Sequence, residues 1–447
     1  MKSPAKLSIS TLTEFMAALR RTTPATLEIR ASILFPFPIT LPAGFRLVGT
    51  DVTKAILSFS HGDGIGLTAD NELANLTIQA GSANRAVYTL SDREDLGTFT
   101  LRNLVVTGQI QIMTRLGTAR AKLVADTIDI VSCDSRAYGE QPQKYGVNVY
   151  QGAFTVYNYN GDPTSVIDAR LTNITIGRKN APVLGSGLFV CGYGDNGGWV
   201  NADLISTGEI HSNGMISFGT ADMITAAVFI VYGAHVKRLV HEGAITTYGV
   251  NDMVLDTWGR VDRWIAEKPL TSYGPSGIGF VNFGTVDHFE AKDKIETFGL
   301  GARGFNQYDG TVATAIFHSI TTYGDGSIGV QVSKPIGTIE VKGSIVTHGG
   351  IGTTLVKGVL VDLSANGFSV KAGGEIRSLT VAGGVTTHGN NVTTMEVEGK
   401  VLKLSVAKGF TAKGSGSKAL AVAPGVQFPL GKTPVLPPKP KSNRTRA

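Results

Sequence analysis

A five-residue word of the form aliphatic, any residue, Thr/Ser, aromatic or His, Gly recurs at a fixed interval in the second half of this chain. It reads Ile245-Thr246-Thr247-Tyr248-Gly249, Leu270-Thr271-Ser272-Tyr273-Gly274, Ile295-Glu296-Thr297-Phe298-Gly299, Ile320-Thr321-Thr322-Tyr323-Gly324 and Ile345-Val346-Thr347-His348-Gly349. Successive closing glycines are 25 residues apart in all four intervals. Ile210-His211-Ser212-Asn213-Gly214 and Val385-Thr386-Thr387-His388-Gly389 extend the series with insertions, 35 and 40 residues away. A second word, Gly-Thr-Val/Ile and its variants, falls between them at Gly259-Arg260-Val261, Gly284-Thr285-Val286, Gly310-Thr311-Val312, Gly337-Thr338-Ile339, Gly374-Glu375-Ile376 and Gly399-Lys400-Val401.

Each repeat therefore breaks into two or three strand-sized, β-branched pieces bounded by glycine turns. Such short pieces at constant period are accommodated by a solenoid, in which each turn stacks on the last in parallel register about 4.8 Å away and inward aliphatics form ladders. Composition agrees: 56 of 447 residues are Gly, which disfavours a helical bundle, while 42% hydrophobic content and only 17 Pro exclude collagen and disorder. Upstream, Asn75-Leu76, Asn103-Leu104 and Asn173-Ile174 open strand-like segments and read as further, less regular rungs. Thr11-Leu12-Thr13-Glu14 is a capping box ahead of Phe15–Arg21, predicting a short helix that lids the open end of the stack. The expected organisation is one β-helix domain with its cap over 1–425 and a Pro/Lys-rich, extended or disordered tail over 426–447.

With the opening segment Leu27-Glu28-Ile29-Arg30-Ala31-Ser32-Ile33 followed by Pro38–Gly49, this pattern resembles the right-handed parallel β-helix superfamily typified by pectate lyases. The resemblance implies an all-β, single-stranded right-handed parallel β-helix. It does not fix chemistry, because that superfamily hosts lyases, hydrolases, epimerases, tailspikes and adhesins. The chain has no Arg-x-Pro-x-x-Arg segment and no Gly-His-Gly-x-Ser-x-Gly segment; His61-Gly62-Asp63-Gly64 and His348-Gly349-Gly350 hold only fragments of the latter. A pectinolytic activity is not supported.

The net charge of +6 is misleading by itself. Lys432, Lys439, Lys441, Arg444 and Arg446 lie in the last sixteen residues, leaving 36 cations against 35 acids elsewhere. The body is thus nearly neutral, and neither a nucleic-acid nor a membrane partner is expected. Cys133 and Cys191 are too few for a disulfide framework and lack metal-ligand spacing, so neither metal nor cofactor is expected. The N-terminus lacks the unbroken apolar run of a secretory signal, and the longest apolar run, 223–234, is too short to span a bilayer. A soluble, cytoplasmic, bacterial-type protein is expected, with secretion and self-association left open.

Functional residues on such a scaffold are expected on outward positions or on long turns. Superposing the segments after each closing glycine aligns Asp252 with Gly277 and Ala302, Asp256 with Val281 and Asn306, and Trp258 with Phe283 and Tyr308. Asp252 and Asp256 share strand parity, so two outward carboxylates beside an aromatic column would suit acid/base work on a sugar ring stacked on Trp258 or Tyr308. Arg303 would complete the catalytic set, and Gln307 would contribute to substrate binding. The irregular stretch 134–162 supplies further candidates for binding in Tyr138, Lys144, Tyr145 and Tyr150, because long non-repetitive turns on a rigid solenoid bind ligands or cover edges. Two readings follow: a carbohydrate-active enzyme of hydrolase, lyase or epimerase type acting on an oligo- or polysaccharide, or a non-catalytic structural or glycan-binding β-helix.

Overall fold

A computed structural model describes residues 5–356 and 359–438. Lys439, Lys441, Arg444 and Arg446 of the expected tail lie outside the described residues. The chain is an all-β parallel solenoid with one short helix, and it divides into two compact units, 1–216 with 222–267 and 217–221 with 268–447. No helix among the described residues is long and apolar enough to cross a membrane.

The helix, Leu12–Leu19, begins as its sequence dictates. Thr11 Oγ1 accepts the Glu14 N–H at 3.2 Å while Glu14 Oε2 accepts the Thr11 N–H at 3.1 Å, satisfying two backbone donors that have no intrahelical partner. Phe15 and Ala18 are buried beneath it, and Phe15 meets Phe35 edge-on at 4.9 Å.

In the first unit, one parallel sheet runs from Ala5–Ile9 through Asp95–Thr107, Arg120–Ser132, Val166–Ile176 and Trp199–Asn213 to Arg260–Ala266; a second runs from Ile39–Leu41 through Gln109–Thr114, Gly152–Asn158, Ser186–Cys191 and Met223–Ile230 to Asp252–Thr257. The register places Ile110, Phe154, Leu188, Val228 and Leu255 in one buried column. The three asparagines seen as strand openers have a different role. Asn75, Asn103 and Asn173 have φ of 55°, 49° and 56°, and Thr127, between the last two in register, has 58°. They mark a left-handed bend inside long strands, which Asn tolerates better than most residues. Asn103 donates to Asn75 Oδ1 across the rungs at 3.0 Å.

In the second unit the pentapeptide is explained by strand parity. Its first and third residues face inward: Ile295, Ile320, Ile345 and Val385 form one buried column and Thr297, Thr322, Thr347 and Thr387 another. Three of the four threonine hydroxyls are satisfied locally, Thr322 Oγ1 donating to Ser327 O, Thr347 Oγ1 to Ala365 O and Thr387 Oγ1 bonding Thr394 Oγ1, whereas that of Thr297 has no partner among the described residues. The fourth residues stack outward: Tyr273, Phe298, Tyr323, His348 and His388 form a continuous column with centroid spacings of 5.0, 4.7, 4.9 and 4.7 Å. The closing glycines stack so tightly that a Cβ on Gly299, Gly324, Gly349, Gly389 or Gly414 would collide with the carbonyl of the equivalent glycine one rung earlier. Close approach, not turn conformation, is what requires glycine there.

Two segments leave the pattern. Ile351–Val356 and Val359–Ser364 form an antiparallel hairpin, which seats Thr354 against Gly301 and Ser276. Within 426–438, Val435–Leu436 adds a two-residue strand to Phe410–Ala412.

Candidate functional site

The parity expected of Asp252 and Asp256 holds, but their exposure requires correction. Asp256 pairs in register with Phe229 and so lies on the strand face opposite the Val228–Leu255 column. That face is itself covered: Asp252 and Asp256 are both at 0% exposure, as are Phe189 and Phe229 beside them. Asp252 is a structural acceptor, taking hydrogen bonds from Thr225 Oγ1 at 3.0 Å, Gly214 N at 3.2 Å and Gly249 N at 3.3 Å. Burial nevertheless pushes its carboxyl up to about 7. Neither carboxyl oxygen of Asp256 has a hydrogen-bond partner of sound geometry among the described residues, and burial, which disfavours the charged form, raises its pKa well above the ordinary carboxylate value.

The other expected members also sit inside structure. Trp258 is only 5% exposed. In the second unit, Gln307 faces inward at 0% exposure, accepting from Asn282 Nδ2 and donating to the carbonyls of Asp309 and Gly310. Arg303 donates to Gln331 Oε1 and Gly301 O and has no carboxylate in salt-bridge range among the described residues; burial draws its pKa down to about 10. Its side chain is half-buried. Tyr308 packs on Phe283 at 4.7 Å.

What the first unit does bring together is a tyrosine cluster built by the irregular stretch. Residues 134–150 fold over the outer face of the second sheet, tied down by the pairing of Asn148 and Val149 with Met223 and Ile224, by Ser135 Oγ donating to Gln151 O, and by Gln151 Nε2 donating to Glu140 O. Tyr138 donates to Ala83 O, and Tyr150 is half-buried. Gly146 follows Tyr145, both with positive φ, in the turn that presents the Tyr145 ring. Tyr145 meets Trp258 edge-on at 5.5 Å, Trp258 meets Phe229 at 5.0 Å, and Phe229 and Phe189 lead to Tyr157, Tyr159 and Tyr193 through ring contacts of 5.3 to 6.3 Å. The two ends of this chain of rings reach solvent, Tyr145 at 38% exposure and Tyr193 at 48%.

Charged groups border the rings. Lys144 Nζ bonds both carboxylate oxygens of Asp195 at 2.9 Å and lies over Tyr145 and Tyr232 at 5.3 and 5.9 Å. Arg115 pairs with Glu140 and lies over Tyr159 at 5.7 Å. Arg115 and Tyr193 were not singled out by the sequence. Tyr193 had a legible signal, an aromatic residue set between Gly192 and Gly194 in a tight turn; Arg115 had none.

A second concavity, of about 500 Å³, lies on the outer face of the first sheet in the same unit and includes Lys122, Asp168, Arg170, Asn201, Asp203 and Lys237 in its lining. Lys237 pairs with Asp203, and the only ring in the lining is that of His235, with no Phe, Tyr or Trp. Among the described residues no group of three or more His, Cys, Asp or Glu side chains is placed to hold a metal ion. Both cysteines are buried, and burial raises their thiol pKa values.

No protein-family model, curated protein or solved structure matches the chain at significance.

Proposed function

We propose that this protein is a non-catalytic, glycan-binding β-solenoid that recognises an oligo- or polysaccharide through the tyrosine cluster of its first unit. One observation carries the reading: a rigid run of rings surfaces at Tyr145 and Tyr193, beside the Lys144–Asp195 and Arg115–Glu140 pairs. Sugars present apolar C–H faces rimmed by hydroxyls, and an exposed ring flanked by fixed charged donors and acceptors matches both features. The rings are ordered by packing before any ligand arrives, which lowers the entropic cost of binding.

The enzymatic alternative has less support. Acid/base chemistry on a glycosidic bond requires carboxyl groups that reach the substrate, and Asp252 and Asp256 are sealed from it.

The test is a glycan panel assayed for both binding and turnover. Binding without new reducing ends or unsaturated products, weakened in Tyr193→Ala, is the expected result. Turnover abolished by Asp256→Asn in a folded variant would restore the enzymatic reading.

A further inference from the structure

We propose that the last turn of the second unit is a docking face for an anionic lipid bilayer, which it contacts peripherally and does not span. The charge that the whole-chain balance conceals is concentrated there. The last acidic residue is Glu398; ten of the 41 cations and none of the 35 acids follow it, so residues 1–398 carry 31 cations against 35 acids. The positive end is therefore not confined to the last sixteen residues. Six of its lysines, Lys400, Lys403, Lys408, Lys413, Lys418 and Lys432, belong to described structure, and all six are exposed. Lys400 pairs with Glu375 at 3.7 Å; the other five make no ion pair among the described residues.

The arrangement of these lysines selects the partner. The last turn consists of Lys400–Val401, Leu404–Val406, Phe410–Ala412 and Lys418–Val422. Lys400 opens a strand of one sheet and Lys403 lies in the bend that follows it, Lys408 and Lys413 flank Phe410–Ala412 at its turns, and Lys418 opens the strand on the other sheet. A linear polyanion laid along one face cannot meet cations on every side of a rung. A plane brought against the end of the stack can, because long lysine side chains bend beyond the rung that carries them. Lys400–Val401, Leu404–Val406 and Lys418–Val422 each pair with a strand on one side only and form an edge of the described unit, on which Val435–Leu436 covers Phe410–Ala412 alone and residues 425–429 lie beside Lys400–Leu402.

Apolar side chains share this edge. Leu402, Val422 and Leu436 are 54%, 37% and 50% exposed. Cations interleaved with exposed aliphatic groups suit the interface between headgroups and acyl chains. No exposed aromatic ring of the described last turn offers a stacking platform for nucleic-acid bases. The structural alternative is that the lysines only guard an open edge against self-association.

Cosedimentation of the full chain with phosphatidylcholine vesicles, with and without phosphatidylserine, at low and high salt, separates these cases. Binding restricted to the anionic vesicles and lost at high salt is expected. Each lysine near such a surface is worth about fivefold in partitioning, so changing Lys403, Lys408, Lys413 and Lys418 together to Gln should weaken binding about a hundredfold or more. The same four positions as Arg should retain it, which guards against a folding artefact. Changing Lys439, Lys441, Arg444 and Arg446 to Gln should leave most of the binding. The proposal is overturned if the full chain ignores anionic vesicles, if it takes up dextran sulfate or duplex DNA in their place, or if the second set of changes removes binding and the first does not. It is also overturned if the fourfold Gln variant self-associates while binding vesicles as the parent does.

Discussion

Trp264 donates its indole N–H to Nε2 of His241 across 2.8 Å, and both rings are fully buried. Because Nε2 accepts, the imidazole proton must reside on Nδ1, which faces Thr207 Oγ1 at 2.8 Å. Protonating the ring would break the bond to Trp264 and place a charge in the core. Burial accordingly holds the His241 pKa at about 3, from an ordinary 6.5.

The sign of the resulting pH dependence follows from proton binding. Below about pH 6.5 the unfolded chain protonates His241 and the folded chain does not, so stability falls as the pH drops toward 3, by up to about 1.4 kcal/mol per pH unit from this residue. Urea midpoints should therefore decline between about pH 7 and about pH 5. The decline should be shallower in His241→Gln, whatever that variant costs at neutral pH. Parallel declines in the two proteins would refute this.

Asp252 works in the opposite direction. Its carboxyl is raised to about 7 from 3.8, so its contribution is fully present below pH 3.8 and is lost as the pH rises through 7. Asp252→Asn can keep the acceptor for Gly214 and Gly249 and donate to Thr225, so it should match the parent in acid and exceed it in stability at alkaline pH. Asp252→Ala leaves two buried N–H groups unpaired and should cost about 2 kcal/mol in thermal or urea unfolding.

Gly324 tests the stacked glycine column. A Cβ there would collide with Gly299 O and approach Ser327 Oγ to 2.8 Å, so Gly324→Ala should destabilise by about 2–4 kcal/mol. Gly139, in the irregular stretch of the first unit, has open space around its Cβ position and no positive φ, and Gly139→Ala should change stability by less than about 0.5 kcal/mol. Equal effects at the two sites in denaturant melts would mean that close approach is not what selects glycine in the repeat.

For glycan binding, Tyr193→Ala should lower affinity about tenfold, the loss expected for one stacking ring, without a measurable change in melting temperature. Lys144→Met, which keeps much of the packing over Tyr145 and Tyr232 but frees Asp195, should lower affinity less. Calorimetric titration of a ligand found on the panel checks both.

The repeat word was a sufficient guide to the architecture because each of its letters answers a local geometric demand. Parity sends its first and third residues inward and its fourth outward, as Ile320, Thr322 and Tyr323 illustrate. Capping of Leu12–Leu19 was equally local, needing only Thr11 and Glu14 three residues apart. The candidate site was less legible. The same parity argument put Asp256 on an outward position correctly, yet no periodicity shows that the outer face is roofed there.

The sequence by itself determined the parallel coil and the rungs of its regular repeat, since these depend on contacts between residues a constant distance apart in the chain, and it located the short helix near the N-terminus from its capping residues. Tertiary structure alone decided which outward residues meet solvent. Residues 134–150 close over a sheet with strands as distant in sequence as Asp252–Thr257, and that closure buries some aromatic rings while leaving Tyr145 and Tyr193 at the surface. Burial depends on everything packed against a residue from any distance along the chain, and a short-range pattern carries no record of it.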